Sequence, residues 1–316
     1  MQRLMSLALA LAAPVALAPA LHAQTAPAAP QGVAVRDDGL VATWYPPASG
    51  RRGPAILVLG GSEGGEGGGK RIAAAFAAKG YGVLALAWFK AEGLPQQLQQ
   101  VPLEYFGKGI RWLQANPLVE PEHVGLYGIS KGGEAALLVA AREPGVKAVV
   151  AAVPSSVAWQ GINFANYADV QSSWSVGGQP LPYLAYDTSA PFTSVLDLYQ
   201  RSLKHAAEHP EAAIPVERIA GPVLLLSAKD DTLWPSSAMS DAVIARLDAR
   251  GFRFRHEHIA YPDAGHGALS PSDGRGAASN SGYQNMGGTE AGNGFARRDA
   301  WARTFAFFNA SIGAPE

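Results

Sequence analysis

Short aliphatic runs alternate with longer amphipathic segments along this chain, and no other feature constrains the fold as much. The runs are continuous in Val, Ile, Leu and Ala, a pattern typical of strands that are buried on both faces of a parallel sheet; they lie at 55–61, 82–89, 124–129, 147–153 and 222–228. Apolar residues at helical spacing predict helices between them, near 70–80, 102–116 and 132–143. This order predicts an α/β fold with a doubly wound, mostly parallel sheet.

Composition restricts the classes of function. The chain has 316 residues, 48% of them hydrophobic, which is enough for one large domain with its own core. A formal net charge of −1 without a basic stretch gives no footprint for nucleic acid. The absence of cysteine excludes disulfides, a thiol nucleophile and a thiolate metal site.

The N-terminus resembles an export signal. Arg3 precedes an Ala/Leu run, and small residues follow up to Ala23. Pro14 and Pro19 interrupt the run, which argues against a membrane anchor. We therefore predict a signal peptide over 1–23, a linker over 24–32, a catalytic domain over 33–316 and a periplasmic or secreted location.

Two segments depart from the alternation of strands and helices. The first, 155–200, is irregular and rich in aromatic residues, so we expect a cap-like insertion whose rings either pack on the core or contact a ligand. The second, 270–294, is rich in Gly, Ser and Asn and predicts a long surface loop.

The sharpest motif lies between a predicted strand and a predicted helix. Gly128, Ser130 and Gly132 form G-x-S-x-G, the signature of a nucleophile elbow, in which a strained turn exposes the serine above the sheet. A serine at such a junction can also be a simple helix N-cap. The flanking glycines favour the elbow and an α/β-hydrolase fold, with Ser130 as the catalytic nucleophile.

The remaining members of a catalytic triad follow in the order Ser, acid, His that this fold requires. His256 and His258 alternate on a last predicted strand, which His266 follows, and Asp230 and Asp231 follow the strand before it, at 222–228. Asp231 stands four residues before the proline that opens the next helix, so we predict Asp231 as the acid and Asp230 as a structural carboxylate. His256 and His258 form a His-x-His pair, but no third metal ligand stands nearby in the sequence.

A glycine-rich stretch over 60–70 ends in a lysine, as a phosphate-binding loop does. Arg71 occupies the position of the Ser or Thr that such a loop needs, and two glutamates place negative charge where a phosphate would bind. We predict instead that the stretch forms an oxyanion hole, with backbone N–H groups of Lys131 and Ser62 as donors. Gly61 and Glu63 are the alternatives to Ser62.

Three longer stretches resemble a known family: LEYFGKGIRWLQANPLVEPEHVGLYGISKGGEAALL, IPVERIAGPVLLLSAKDDTLWPS and AYPDAGHG. They are similar to the catalytic domain of acyl-CoA thioesterases and bile acid-CoA:amino acid N-acyltransferase. The resemblance implies a triad at Ser130, Asp231 and His266, and a serine nucleophile resembles the thioesterase branch. Members usually carry an N-terminal β-sandwich domain, for which the roughly 30 residues after the predicted signal peptide are too few.

The functional prediction is therefore a serine hydrolase that cleaves acyl thioesters through an acyl-enzyme, without metal or organic cofactor. Because coenzyme A is cytoplasmic, export makes an esterase or a dienelactone-hydrolase-like lactonase the alternative. A hydrolase-fold binding protein without catalysis is a third hypothesis. The partners expected are small acyl thioesters or esters, with neither nucleic acid nor a membrane span.

Overall fold

A computed structural model describes residues 31–271 and 286–316. The predicted signal peptide and most of the predicted linker lie outside the described residues. Across the part of the chain that the structure describes, every helix is too short or too polar to span a bilayer.

The strands and helices predicted from the sequence form in the expected order, and further elements lie around them. The strands are β1 (Val33–Val35), β2 (Ala42–Tyr45), β3 (Gly53–Leu59), β4 (Gly82–Leu86), β5 (Val101–Pro102), β6 (Val119–Ile129), β7 (Ala148–Ala152), β8 (Trp174–Val176), β9 (Gln179–Pro180), β10 (Val223–Ala228) and β11 (His256–Tyr261). The helices are α1 (Gly67–Ala77), α2 (Leu103–Ala115), α3 (Lys131–Ala140), α4 (Val195–Leu203), α5 (Ser236–Ala249) and α6 (Glu290–Ile312).

Eight strands form the central sheet in the order β1-β2-β4-β3-β6-β7-β10-β11. All neighbours from β4 to β11 are parallel, whereas β1 pairs antiparallel with β2 and β2 pairs antiparallel with β4. Because parallel strands end at the same edge, the segments that leave β3, β6, β10 and β11 meet there, as expected for a ligand site of an open α/β sheet. The predicted doubly wound α/β class is confirmed.

Both faces of the sheet are covered by apolar side chains. On β3, Leu57 and Leu59 belong to the core cluster that includes residues of α2, α3 and α5, whereas Ile56 and Val58 belong to the cluster on α1 and α6. All four are fully buried. Burial of such a side chain stabilises the fold by about 1.5–3 kcal/mol, so the two layers hold the C-terminal sheet edge rigid.

The aromatic-rich insertion leaves the sheet after β7 and returns to it at β10; we call 153–203 the cap. Its strands β8 and β9 form a small second sheet with β5. Trp159 and Trp174 are fully buried, whereas Phe164, Tyr167 and Phe192 are exposed. Trp159 lies in a small hydrophobic cluster formed largely by the cap, whereas Trp174 lies in the main core cluster. These two tryptophans therefore pack in the core, which is one of the two roles expected for the aromatic residues of this segment.

The loop predicted over 270–294 is wrong at its C-terminal end, where α6 begins at Glu290. The Thr289 hydroxyl caps this helix by accepting a hydrogen bond from Gly292 N at 3.0 Å. Gly292 also lies so close to the Asp263 carbonyl that a methyl group would be 2.1 Å from its oxygen. The glycine thus serves close packing, which local composition does not reveal. Residues 272–285 of the predicted loop lie outside the described residues.

Candidate active site

Ser130 occupies the sharp turn between β6 and α3. Its backbone has φ 56° and ψ −124°, a conformation that non-glycine residues rarely adopt and that costs of order 1–3 kcal/mol. A methyl group on Gly128 would lie 2.0 Å from the Gly132 carbonyl oxygen, and one on Gly132 would lie 2.2 Å from that of Gly60. The two motif glycines therefore permit the close approach of strand, helix and glycine-rich loop that the turn requires.

The structure brings Ser130, His266 and Asp231 together. The Ser130 Oγ lies 2.8 Å from His266 Nε2, and His266 Nδ1 lies 2.8 Å from Asp231 Oδ2. His266 and Asp231 are each 4% exposed, while Ser130 is half-buried at the surface of the site. Since an ionised carboxylate only accepts hydrogen bonds, Nδ1 donates to Asp231 and Nε2 is free to accept from the serine hydroxyl.

The Asp231 carboxylate is fixed by its own loop. Its Oδ1 accepts from the backbone N–H groups of Leu233 at 2.9 Å and Trp234 at 3.1 Å, and its Oδ2 accepts from Ser236 Oγ at 2.7 Å. Asp230 is exposed instead. Of the two carboxylates considered from sequence, the structure therefore places Asp231 against the histidine.

The glycine-rich loop after β3 lies beside the elbow. A methyl group on Gly61 would be 3.5 Å from Ser130 Cβ, so this backbone borders the reacting hydroxyl. Lys131 is the first residue of α3, and such a residue has no intrahelical acceptor for its N–H. Ser62 follows Gly61 in the next turn; its role as the second oxyanion donor, rather than Gly61 or Glu63, stays a prediction.

The charged residues of this loop have partners that do not suit a phosphate site. Lys70 forms an ion pair with Glu66 at 3.0 Å, and Arg36 pairs with the same carboxylate at 2.7 Å. The Glu63 carboxylate lies over the first turn of α1, where a methyl group on Gly68 would collide with it. A carboxylate is favourable at a helix N-terminus, and here it occupies the place of an anionic ligand.

A buried ion pair, for which the sequence predicts no role, lies directly after Ser130. Lys131 Nζ is 2.9 and 2.8 Å from the two carboxylate oxygens of Glu134, and both side chains are at most 2% exposed. Burial lowers the pKa of the Lys131 ammonium group, and Glu134 opposes this shift by pairing with it. The sequence signal for this pair is the presence of opposite charges three residues apart in a helix whose other residues are glycine or apolar.

Trp234 connects the histidine to the cap. Its ring packs edge-on against the His266 ring, with centroids 5.8 Å apart, and its indole N–H donates to the Val153 carbonyl at 3.1 Å. Tyr199 of the cap also packs against Trp234, with ring centroids 5.6 Å apart, and Trp159 packs against Tyr199 at 4.9 Å. A series of ring contacts thus connects His266 with the buried aromatic residues of the cap.

A second Ser–His–Asp arrangement joins β10, β11 and α5. His258 Nε2 is 2.6 Å from Ser227 Oγ, and His258 Nδ1 is 2.9 Å from Asp241 Oδ1. Ser227 is fully buried in β10, so no substrate reaches it and the arrangement ties α5 to the sheet. His256 pairs with Asp248 instead, and among the described residues no cluster of three or more His, Asp or Glu side chains could hold a metal ion.

Comparison with known proteins shows the family to which this chain is similar in sequence. Residues 101–314 match the sequence profile of the family described as BAAT / Acyl-CoA thioester hydrolase C terminal. The mitochondrial acyl-coenzyme A thioesterase 2 of Mus musculus is 31% identical over 89% of this chain and 60% of its own length. Acyl-coenzyme A thioesterase 1 of Homo sapiens is 31% identical over 77% of this chain and 57% of its own length. The chain therefore spans little more than half the length of these relatives.

Solved structures share the fold at lower identity. A Klebsiella pneumoniae protein assigned as a dienelactone hydrolase has a TM-score of 0.56 at 17% identity, covering 88% of this chain and 97% of its own. An α/β hydrolase, MGS-M1, from a deep-sea metagenome library has a TM-score of 0.54 at 16% identity, covering 90% and 98%. With an α/β-hydrolase fold and the matched profile across its C-terminal part, the chain belongs to the BAAT / acyl-CoA thioester hydrolase C-terminal family.

Proposed function

We propose that this protein is a serine hydrolase that cleaves acyl thioesters through an acyl-enzyme at Ser130. The observation that carries the proposal is the hydrogen-bonded series from Ser130 Oγ to His266 Nε2 and from His266 Nδ1 to Asp231, at 2.8 Å each, on a strained elbow. A serine, a base and an acid in this relation form the arrangement that activates a hydroxyl for attack on a carbonyl.

Each side chain has a defined task in the reaction. His266 takes the proton of the Ser130 hydroxyl as its oxygen bonds to the carbonyl carbon, and Asp231 stabilises the imidazolium that forms. The N–H groups of Lys131 and Ser62 hold the negative oxygen. When the carbon–sulfur bond breaks, His266 gives its proton to the leaving thiolate. A water deprotonated by His266 then releases the acid and restores Ser130.

The choice of thioesters over oxygen esters rests on family membership and on the named thioesterases among the relatives. The triad itself does not discriminate, because it attacks either carbonyl in the same way. The test compares kcat/KM for acyl-CoAs with kcat/KM for p-nitrophenyl esters of the same acyl groups, using Ser130→Ala as blank. A thioester preference of tenfold or more supports the proposal, and an ester preference identifies a carboxylesterase or lactonase.

A fluorophosphonate probe tests for catalysis without a known substrate. An activated serine forms a stable covalent adduct with such a probe, whereas an ordinary hydroxyl does not. We expect one adduct per chain at Ser130 and none in Ser130→Ala. A chain that stays unlabelled would be a binding protein on a hydrolase fold.

A further inference from the structure

The buried pair of Lys131 and Glu134 has no task in the reaction described above. Two opposite charges lose their hydration when they are buried, and replacement of such a pair by apolar residues of similar size is often neutral or stabilising. Stability of the fold is therefore a weak explanation for the presence of this pair. Its hydrogen-bond partners lie in the cap and indicate a different role.

The Glu134 carboxylate collects donors from two parts of the cap. Its Oε1 accepts from the backbone N–H of Trp159 at 3.0 Å and from the indole N–H of Trp174 at 2.6 Å. Lys131 Nζ donates to Ser173 Oγ at 2.8 Å, and that hydroxyl donates to the Trp159 carbonyl at 2.9 Å. The three ammonium protons thus meet three acceptors, and the network leaves none of them unpaired.

These contacts join the first turn of α3 to the cap on the nucleophile side. The cap also begins beside the elbow, since Ser130 N donates to the carbonyl of Ala152 at 2.9 Å, directly before the cap's first residue. On the histidine side, Tyr199 and Trp234 link the cap to His266 by ring packing. The cap therefore borders the reacting serine on one side and the base on the other.

We propose that the Lys131–Glu134 pair is a positioning device that holds the cap against the nucleophile elbow and thereby sets which acyl chains Ser130 accepts. The inference rests on the function proposed above. Hydrogen bonds to one buried carboxylate are directional and specify a single arrangement of Trp159 and Trp174 relative to α3, which apolar packing alone specifies less strictly. In this proposal a long acyl chain reaches from the reacting carbonyl to the cap, whereas a short one ends before it.

Two cap variants test the link without altering the residues proposed for the reaction. Trp174→Phe keeps a large ring but removes the indole N–H that donates to Glu134. Ser173→Ala removes one of the three acceptors of Lys131 Nζ and leaves all rings in place. Trp112→Phe is the matched control, since its indole N–H donates to Asp37 at 3.3 Å, outside the network. Labelling rates of Ser130 are measured with short-chain and long-chain alkyl fluorophosphonates, together with kcat and KM for short and long acyl-CoAs.

We expect the long-to-short ratio of labelling rates to fall at least tenfold in Trp174→Phe and in Ser173→Ala, and to stay within twofold in Trp112→Phe. With acyl-CoAs, both cap variants should show a raised KM for long chains, and their kcat for short chains should stay within twofold of the wild-type value. An unchanged ratio in folded variants, or equal losses for both chain lengths, would overturn the positioning role while labelling itself upholds the hydrolase. A wild-type chain that no probe labels would overturn both proposals.

Discussion

Gly132→Ala tests whether close packing of the glycine-rich loop on the elbow supports catalysis. The added methyl group would lie 2.2 Å from the Gly60 carbonyl oxygen and 2.7 Å from that of Leu59. Both neighbours are backbone atoms, so no side chain can rotate away. Restoring an ordinary contact of 3.4 Å moves the loop by about 1.2 Å. Overpacking of this kind costs about 1–3 kcal/mol, and a misplacement near 1 Å at a reacting centre costs on the order of 10²-fold in rate.

We therefore expect Gly132→Ala to lower kcat/KM about 100-fold per folded molecule, because the loop that borders Ser130 is displaced from the position in which it is proposed to hold the oxyanion. Activity is measured on the substrate that the thioester and ester comparison identifies, and the folded fraction is measured by urea unfolding. Gly53→Ala is the control, since a methyl group there meets no atom within 4 Å and the backbone is extended. Wild-type kcat/KM in folded Gly132→Ala would refute the argument from packing.

Three further predictions concern single residues. Asp231→Asn should lower kcat on the order of 10⁴-fold by favouring the wrong histidine tautomer, whereas Asp230→Asn should stay within twofold in the same assay. Burial lowers the pKa of His258 below its ordinary value, although the nearby Asp241 opposes this shift. Below about pH 6.5, His258 therefore binds a proton more readily in the unfolded chain than in the folded chain. The free energy of unfolding should therefore decrease as the pH falls below about 6.5. Urea unfolding at pH 7 and at pH 5 should show a smaller decrease for His258→Gln than for the wild type, and an equal decrease would contradict this prediction. We propose that the chain is exported, so the intact mass of protein recovered from the periplasm of a bacterial host should correspond to an N-terminus near Gln24.

The fold and the three positions proposed for the triad follow from local signals. Buried parallel strands read as continuous aliphatic runs, and the fold's chain order leaves His266 as the one histidine after the last strand that a loop brings to the sheet edge. The helical start at Glu290 and the burial of Lys131 do not follow, because each depends on partners distant in sequence. Gly292 packs on Asp263, and Glu134 meets Trp174, 40 positions away. Composition near Glu290 favours a loop instead, and the apolar helix around Lys131 does not reveal which cap residues meet the ion pair.

In the mechanism proposed here, chemistry and selectivity depend on different parts of this molecule. The proposed triad and oxyanion loop lie on segments that the rigid sheet edge positions, and the proposed attack on a carbonyl is indifferent to whether sulfur or oxygen leaves. Selection among substrates must come from groups that contact the acyl chain or the leaving group, and the cap is the segment that borders both Ser130 and His266. A change at Gly132 should consequently lower the rates of all substrates alike, while a change at Trp174 should alter their order. Measurement of both variants on one substrate series separates the two contributions.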